Sequence, residues 1–219
     1  MARPKKDIGV DARDRLIESF WSLLEGNELH EVSIGMIAAK AGCSRGTFYY
    51  HFADKDALVE AILDDELQCV SRDIFAFNSG IDDAGFLQRF DEGGLKRVAL
   101  FMRQGGRNIA ESHTREYIFS MWKALLCSDG DELLPKTRCI LSYMISGMLG
   151  LIAAIGDMGF QGREMFPDDF LRSASREAFS KICETQSVDS EEVARRLSML
   201  SRFSKADKSF GEGDGGGDG

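Results

Sequence analysis

Val32 to Leu58 reads VSIGMIAAKAGCSRGTFYYHFADKDAL, and this stretch decides the fold. Ser33 has the oxygen needed to cap a helix, and Ile34, Ile37, Ala38 and Ala41 give that helix a short apolar face before Gly42 breaks it. Ser44 caps a further helix almost at once. Only Gly42-Cys43 separates the two, and a glycine there can take the left-handed conformation that a sharp angle between helices requires. The spacing predicts a helix-turn-helix.

Working outward, Leu16, Ile17, Phe20, Leu23 and Leu24 form one apolar stripe, with Asp11 as its cap and Gly26-Asn27 as its stop. Asp54 caps a fourth helix expected to run toward Phe77 through Leu58, Ile62 and Leu67. A helix from Ser44 to His51 is about 12 Å long, which matches the roughly 12 Å width of the DNA major groove. Phe48 and Phe52, four residues apart, would anchor its inner face against the first helix and leave Arg45, Thr47, Tyr49 and Tyr50 outward. The same Tyr-Tyr-His-Phe cluster also suits a packed corner of a helical bundle.

The segment strongly resembles the signature of the TetR family of transcriptional regulators. Carrying that resemblance are Ile37-Ala38, Ala41-Gly42, Ser44, Thr47-Phe48-Tyr49-Tyr50-His51-Phe52 and Lys55, within a match over about residues 10 to 65. It implies an all-α protein in which an N-terminal three-helix DNA-binding domain joins a C-terminal helical regulatory and dimerisation domain. It also implies double-stranded operator DNA, a second copy of the chain and a small-molecule effector as partners, and repression relieved by that effector. Arg45 is the expected base reader, because a guanidinium at the exposed start of the third helix can pair with guanine O6 and N7. Thr47, Tyr49, Tyr50, His51 and Lys55 suit phosphate oxygens, Ser33, Ser44 and Gly46 complete the expected DNA-binding set, and the exposed amides at the Ser33 and Asp54 helix starts add further phosphate sites. Gly35 departs from the family, which often carries a polar or basic side chain there. Base reading is therefore expected to fall chiefly on the third helix.

Composition agrees with a helical class. The 219 residues include only three prolines, Pro4, Pro135 and Pro167, and no alternating β-branched run competes with the helical spacing. A formal charge of −9 argues against bulk coating of nucleic acid. Residues 1–60 hold 8 lysines and arginines against 10 aspartates and glutamates, and within them Arg3, Lys5 and Lys6 form a short basic arm. That arm reads either as a solvated tail or as a minor-groove contact. Five widely spaced cysteines, Cys43, Cys69, Cys127, Cys139 and Cys183, fit a reduced cytosol, and the basic N-terminus has no apolar stretch after it. A cytoplasmic protein is expected.

Beyond a connection placed between Asn78 and Gly94, Leu95, Val98, Met102 and Ile109 mark one helix, and Tyr117, Ile118, Met121, Trp122 and Leu125 another. Six of nine methionines lie between Met102 and Met165. Such adaptable side chains suit a pocket for a partly apolar ligand as well as an ordinary core. Phe101, Met102, Phe119, Trp122, Tyr143 and Met144 are the candidate lining. Cys139 to Gly156 is an 18-residue run without a charge, the length of a membrane span. Its glycines, serines and tyrosine favour close helix approach instead, so Ser142, Ser146 and Gly150, with Ala174 and Ala178 on the next helix, are the candidate dimer interface. A last amphipathic piece runs from Glu191 to Phe203. The expected division is 8–68 for the DNA-binding domain, 69–204 for the ligand-binding and dimerisation domain, and 205–219 for a disordered acidic glycine-rich tail.

Other functions fit poorly. His30, His51 and His113 are isolated, so neither a metal cluster nor a catalytic set is expected, and no cofactor is implied. Ser146-Gly147 lacks the glycines of a nucleophile elbow, and the terminal glycines follow no strand. A tethered interaction protein built on the uncharged helix and a thiol switch at Cys43 are the remaining rivals.

Overall fold

A computed structural model describes residues 12–78, 94–128, 130–158, 168–197 and 199. The basic arm, the Asp11 cap, the Asn78–Gly94 connection beyond its two ends, Phe160–Gly162, Met165, Phe166 and the 205–219 tail lie outside the described residues.

The described residues are all helix, turn or loop, with no strand among them. The helices are α1 (Ala12–Leu24), α2 (Ile34–Lys40), α3 (Arg45–His51), α4 (Lys55–Asn78), α5 (Gly94–Phe101), α6 (Arg107–Leu126), α7 (Pro135–Asp157) and α8 (Asp168–Gln186). A further helical stretch covers 190–197.

The stripe on α1 is buried as its period dictates: Leu16, Phe20 and Leu24 have no exposed surface. Asn27 stops the helix by donating its side-chain amide to the Leu23 carbonyl at 2.7 Å. Serine caps start the next two helices, with Ser33 accepting from the Met36 amide at 3.3 Å and Ser44 from the Thr47 amide at 3.1 Å. Between them Gly42 adopts φ +66°, and the Cys43 amide reaches back to the Ala38 carbonyl at 3.0 Å. This closure turns the chain sharply and needs a residue without Cβ. Asp54 caps α4 through the Ala57 amide at 2.8 Å.

α4 leaves this three-helix head and packs on α6 and α8, while α7 packs on α5, α6 and α8. Burial does not stop at residue 68. One core joins Leu16, Phe20, Trp21, Phe48 and Leu58 of the head to Ala99, Phe101 and Met102 and to Ile145, Leu149 and Ile152 of α7. A second core gathers Trp122, Leu126, Leu141, Ile182, Val193 and Leu197.

The helix expected from Leu95 to Ile109 is broken. Gln104 (φ −86°, ψ 23°) and Gly105 (φ +96°, ψ 0°) leave helical space within Met102–Gly106, and Ile109 is exposed on α6. The adjacent glycines 105 and 106 allow this: the first takes the left-handed conformation, and the second lets the Phe101 ring approach where a Cβ would sit 2.3 Å from Cε1. The kink exposes the Gln104 carbonyl to the head, where it accepts the Leu29 amide at 2.8 Å.

Pro135–Ala154 is long and apolar enough to cross a membrane by length and composition. Its apolar residues Leu141, Ile145, Leu149 and Ile152 are buried in the bundle, whereas its exposed face holds Cys139, Tyr143, Ser146, Gly147, Gly150 and Ala154.

Candidate nucleic-acid interface

Two short capped helices set at an angle present one outer face, and α3 is its centre. Phe48 is completely buried and Phe52 nearly so, their rings 5.7 Å apart, which fixes the rotation of α3 on the head. The opposite side then points outward by helical geometry. Tyr49 is 55% and Tyr50 84% exposed. Arg45, Gly46, Ser44 and Ser33 are exposed as well, and Thr47 and His51 are half-buried. Ser44 and Thr47 hydroxyls lie 3.0 Å apart at the start of the helix, and the Tyr50 and His51 rings stand edge to face at 5.0 Å. The expected residues therefore lie exposed or half-buried along α3 or at the starts of α2 and α3, with one exception.

Lys55 is that exception. Its ammonium donates to the carbonyls of Leu29 at 2.9 Å and Val32 at 3.1 Å, bonds that span 26 and 23 residues. The side chain fastens the α1–α2 loop to α4, a structural bond made by the same ammonium whose charge suits a phosphate. Sequence could not show this, because both acceptors are backbone groups far away along the chain.

Cys43 is half-buried against the first core beneath this face. Elsewhere burial pushes the Cys127 and Cys183 thiols up, which keeps them in the less reactive protonated form.

The candidate ligand residues are scattered. Phe101 and Met102 belong to the first core, with Phe101 edge-on to Trp21 at 6.5 Å. Trp122 lies in the second core, and Phe119 carries the Arg138 guanidinium 4.8 Å from its ring centre. Tyr143 is 76% exposed on α7 and Met144 half-buried, so Tyr143 is corrected from pocket lining to surface. None of the six lines the cavity of about 370 Å³ found between α4 and α6, which is bounded by Asp64, His113, Glu116, Tyr117, Ser120 and Met121. At its edge His113 Nε2 and Asp64 Oδ1 are 2.9 Å apart. That pairing spans 49 residues and carries no local signal. Of the interface candidates, Ser146 and Gly150 are exposed, and Ser142, Ala174 and Ala178 half-buried.

No group of three or more histidine, cysteine or carboxylate side chains that could hold a metal occurs among the described residues.

Residues 17–62 match the bacterial regulatory proteins of the tetR family. Over 60 residues the chain is 37% identical to the HTH-type transcriptional regulator BetI of Yersinia pestis and to that of Yersinia pseudotuberculosis, a match covering 27% of this chain and 30% of theirs. The match thus spans less than a third of the length of those curated relatives. Among solved structures, a tetR-family transcriptional regulator from Streptomyces coelicolor is 22% identical, with 87% of this chain and 90% of that chain covered at a TM-score of 0.46. A TetR transcriptional regulator from Rhodococcus sp. RHA1 is 19% identical, with 78% and 95% covered at 0.40.

Proposed function

Through residues 17–62 the chain belongs to the TetR family of bacterial regulatory proteins, and from that premise we propose that it is a cytoplasmic, sequence-specific transcriptional regulator, not an enzyme, acting as a homodimeric repressor released by a small molecule. The observation that carries the reading is the outer face of α3: Tyr49 and Tyr50 are held outward while Phe48 is wholly buried. Large side chains exposed together beside Arg45 cost the isolated protein apolar hydration and gain only when a partner covers them. A face of this width fits the major groove.

In this reading Arg45 pairs with guanine, while Ser33, Ser44, Gly46, Thr47, Tyr49, Tyr50 and His51 hold phosphate oxygens and set register. One helix of seven residues reads few base pairs, so two copies are needed, with their α3 helices about 34 Å apart on successive turns of the groove. The small exposed residues of α7, Ser146 and Gly150 among them, and Ala174 and Ala178 of α8 supply the faces for that pairing. An effector in the α4–α6 cavity would touch the helix that continues into the head. A shift of α4 there would move the reading helices off their spacing and release DNA.

The test is selection of bound duplexes from a random pool, followed by binding of Arg45→Ala to the selected site and to unrelated DNA. Arg45→Ala is expected to cost about 1–3 kcal/mol on the selected site and far less on unrelated DNA. Equal losses on both would remove Arg45 as base reader, and an unenriched pool with wild type would remove the function.

A further inference from the structure

Gly35 is the second residue of α2, a helix of only seven residues. Glycine is the poorest helix former after proline, so a glycine here works against the helix unless something needs it. Its backbone conformation does not, because Gly35 is not among the residues with positive φ. Space does. A Cβ at position 35 would lie 2.6 Å from Arg45 Nη2, 3.2 Å from Nε and 3.3 Å from Cζ. The guanidinium of the first residue of α3 therefore rests directly on the bare backbone of α2.

Arg45 stays available in that position. It is exposed and makes no hydrogen bond or ion pair among the described residues. Nor does α2 hold it electrostatically, since the start of a helix is its positive end and does not attract a cation. The contact is a seat without a lock: it limits where the guanidinium can go and leaves its five donors to a partner. Bidentate pairing with guanine needs two parallel donors in one plane, so a shift of about an ångström exchanges two bonds for one or none.

We propose that Gly35 is a specificity-determining residue, and that the missing side chain seats the Arg45 guanidinium for base reading. A side chain at position 35 would re-aim Arg45 and change the base preferred at the operator position it reads. The proposal rests on the DNA-binding reading above and deepens it. Helix α2, which lacks a reading side chain of its own at this position, contributes to recognition by absence.

The experiment uses the full chain as wild type, Gly35→Ala, Arg45→Ala and the two substitutions combined, each carried through selection of bound duplexes from a random pool and through thermal melting. Wild type is expected to select a site with a base preference that Arg45→Ala abolishes. Gly35→Ala should weaken discrimination at that same position by about tenfold, yet melt no lower than wild type, because alanine suits a helix better and the displaced atoms end a flexible side chain. In the Arg45→Ala background, Gly35→Ala should change nothing further. An unaltered preference in Gly35→Ala overturns the proposal. So does an effect that persists without Arg45, which would mean that the new methyl group itself meets DNA, and so does a marked fall in melting temperature, which would make Gly35 a packing residue. Failure of wild type to select any site would instead overturn the parent reading.

Discussion

The two hydrophobic cores are built from different kinds of information. The first holds Trp21 and is seeded by α1, α2 and α3, three consecutive helices whose buried residues all fall between Leu16 and Phe48, before α5 and α7 extend it. The second holds Trp122 and is assembled from α6, the start of α7, the end of α8 and the stretch 190–197, elements dozens of residues apart. Its polar ties are equally remote. Gln186 at the end of α8 accepts from the Thr137 hydroxyl at 2.9 Å and the Leu134 amide at 3.2 Å, and donates to the Glu132 carbonyl at 3.2 Å. The reading head is thus a local structure, and the rest is a set of appointments kept across the chain. Since the chain has just two tryptophans, each core carries its own fluorescent reporter.

Phe48→Ala puts the largest strain on this contrast. The side chain is wholly buried in the first core beside Phe52, so its removal leaves a cavity worth about 3–5 kcal/mol. With Trp122→Phe as background, the Trp21 signal should shift to much lower denaturant. With Trp21→Phe as background, the Trp122 signal should move far less. Equal movement of both signals would show that the continuation of the first core through Phe101 and Leu149 binds the two cores into one cooperative unit.

Lys55→Met sharpens the contrast inside the head. The methionine keeps most of the apolar stem but leaves the Leu29 and Val32 carbonyls without their donor, at a cost of about 1–3 kcal/mol. Trp21 unfolding should report that loss. If the ammonium is structural, the salt dependence of DNA binding should keep its slope. A slope lower by about 1 would restore Lys55 as a phosphate contact.

Legibility follows the same division. Ser33, Ser44, Asp54 and Gly42 can be assigned from sequence because a cap or a left-handed turn is decided within four or five residues. The outward side of α3 is legible because Phe48 and Phe52 fix it. The break at Gln104-Gly105 escapes a reading by period because the apolar spacing from Leu95 to Ile109 continues through it, although the paired glycines are the signal to heed. Tyr143 is misplaced by sequence because a helix nearly uncharged on every side does not reveal which side its neighbours cover. Gly35 carries the most misleading signal: on a sequence it is a missing side chain, and only the path of Arg45, ten residues later, shows what occupies the space.

Glu66 gives the smallest effect and the one with a sign set by pH. It lies half-buried on α4 at the seam between the head and α5, close enough to Gly94 that a Cβ there would be 2.7 Å from Oε2. Burial pushes its carboxyl up; Arg97 pulls it down, and Asp65 and Glu18 push it up again. Arg97 is already committed to Glu18, with Nη2 2.9 and 3.0 Å from the two carboxylate oxygens. A carboxyl whose folded value is raised favours the fold fully below the ordinary carboxylate value, and that contribution is lost as pH rises through the folded value. Glu66→Gln removes the charge that the seam disfavours. It should therefore raise the Trp21 melting temperature slightly at neutral pH, by less than the shifts of Phe48→Ala or Lys55→Met, and make no difference once the medium is acid enough to protonate Glu66 in both states. A lower melting temperature at neutral pH would mean that the attraction of Arg97 outweighs burial, and that the seam between head and body is held by charge as well as by its shared core.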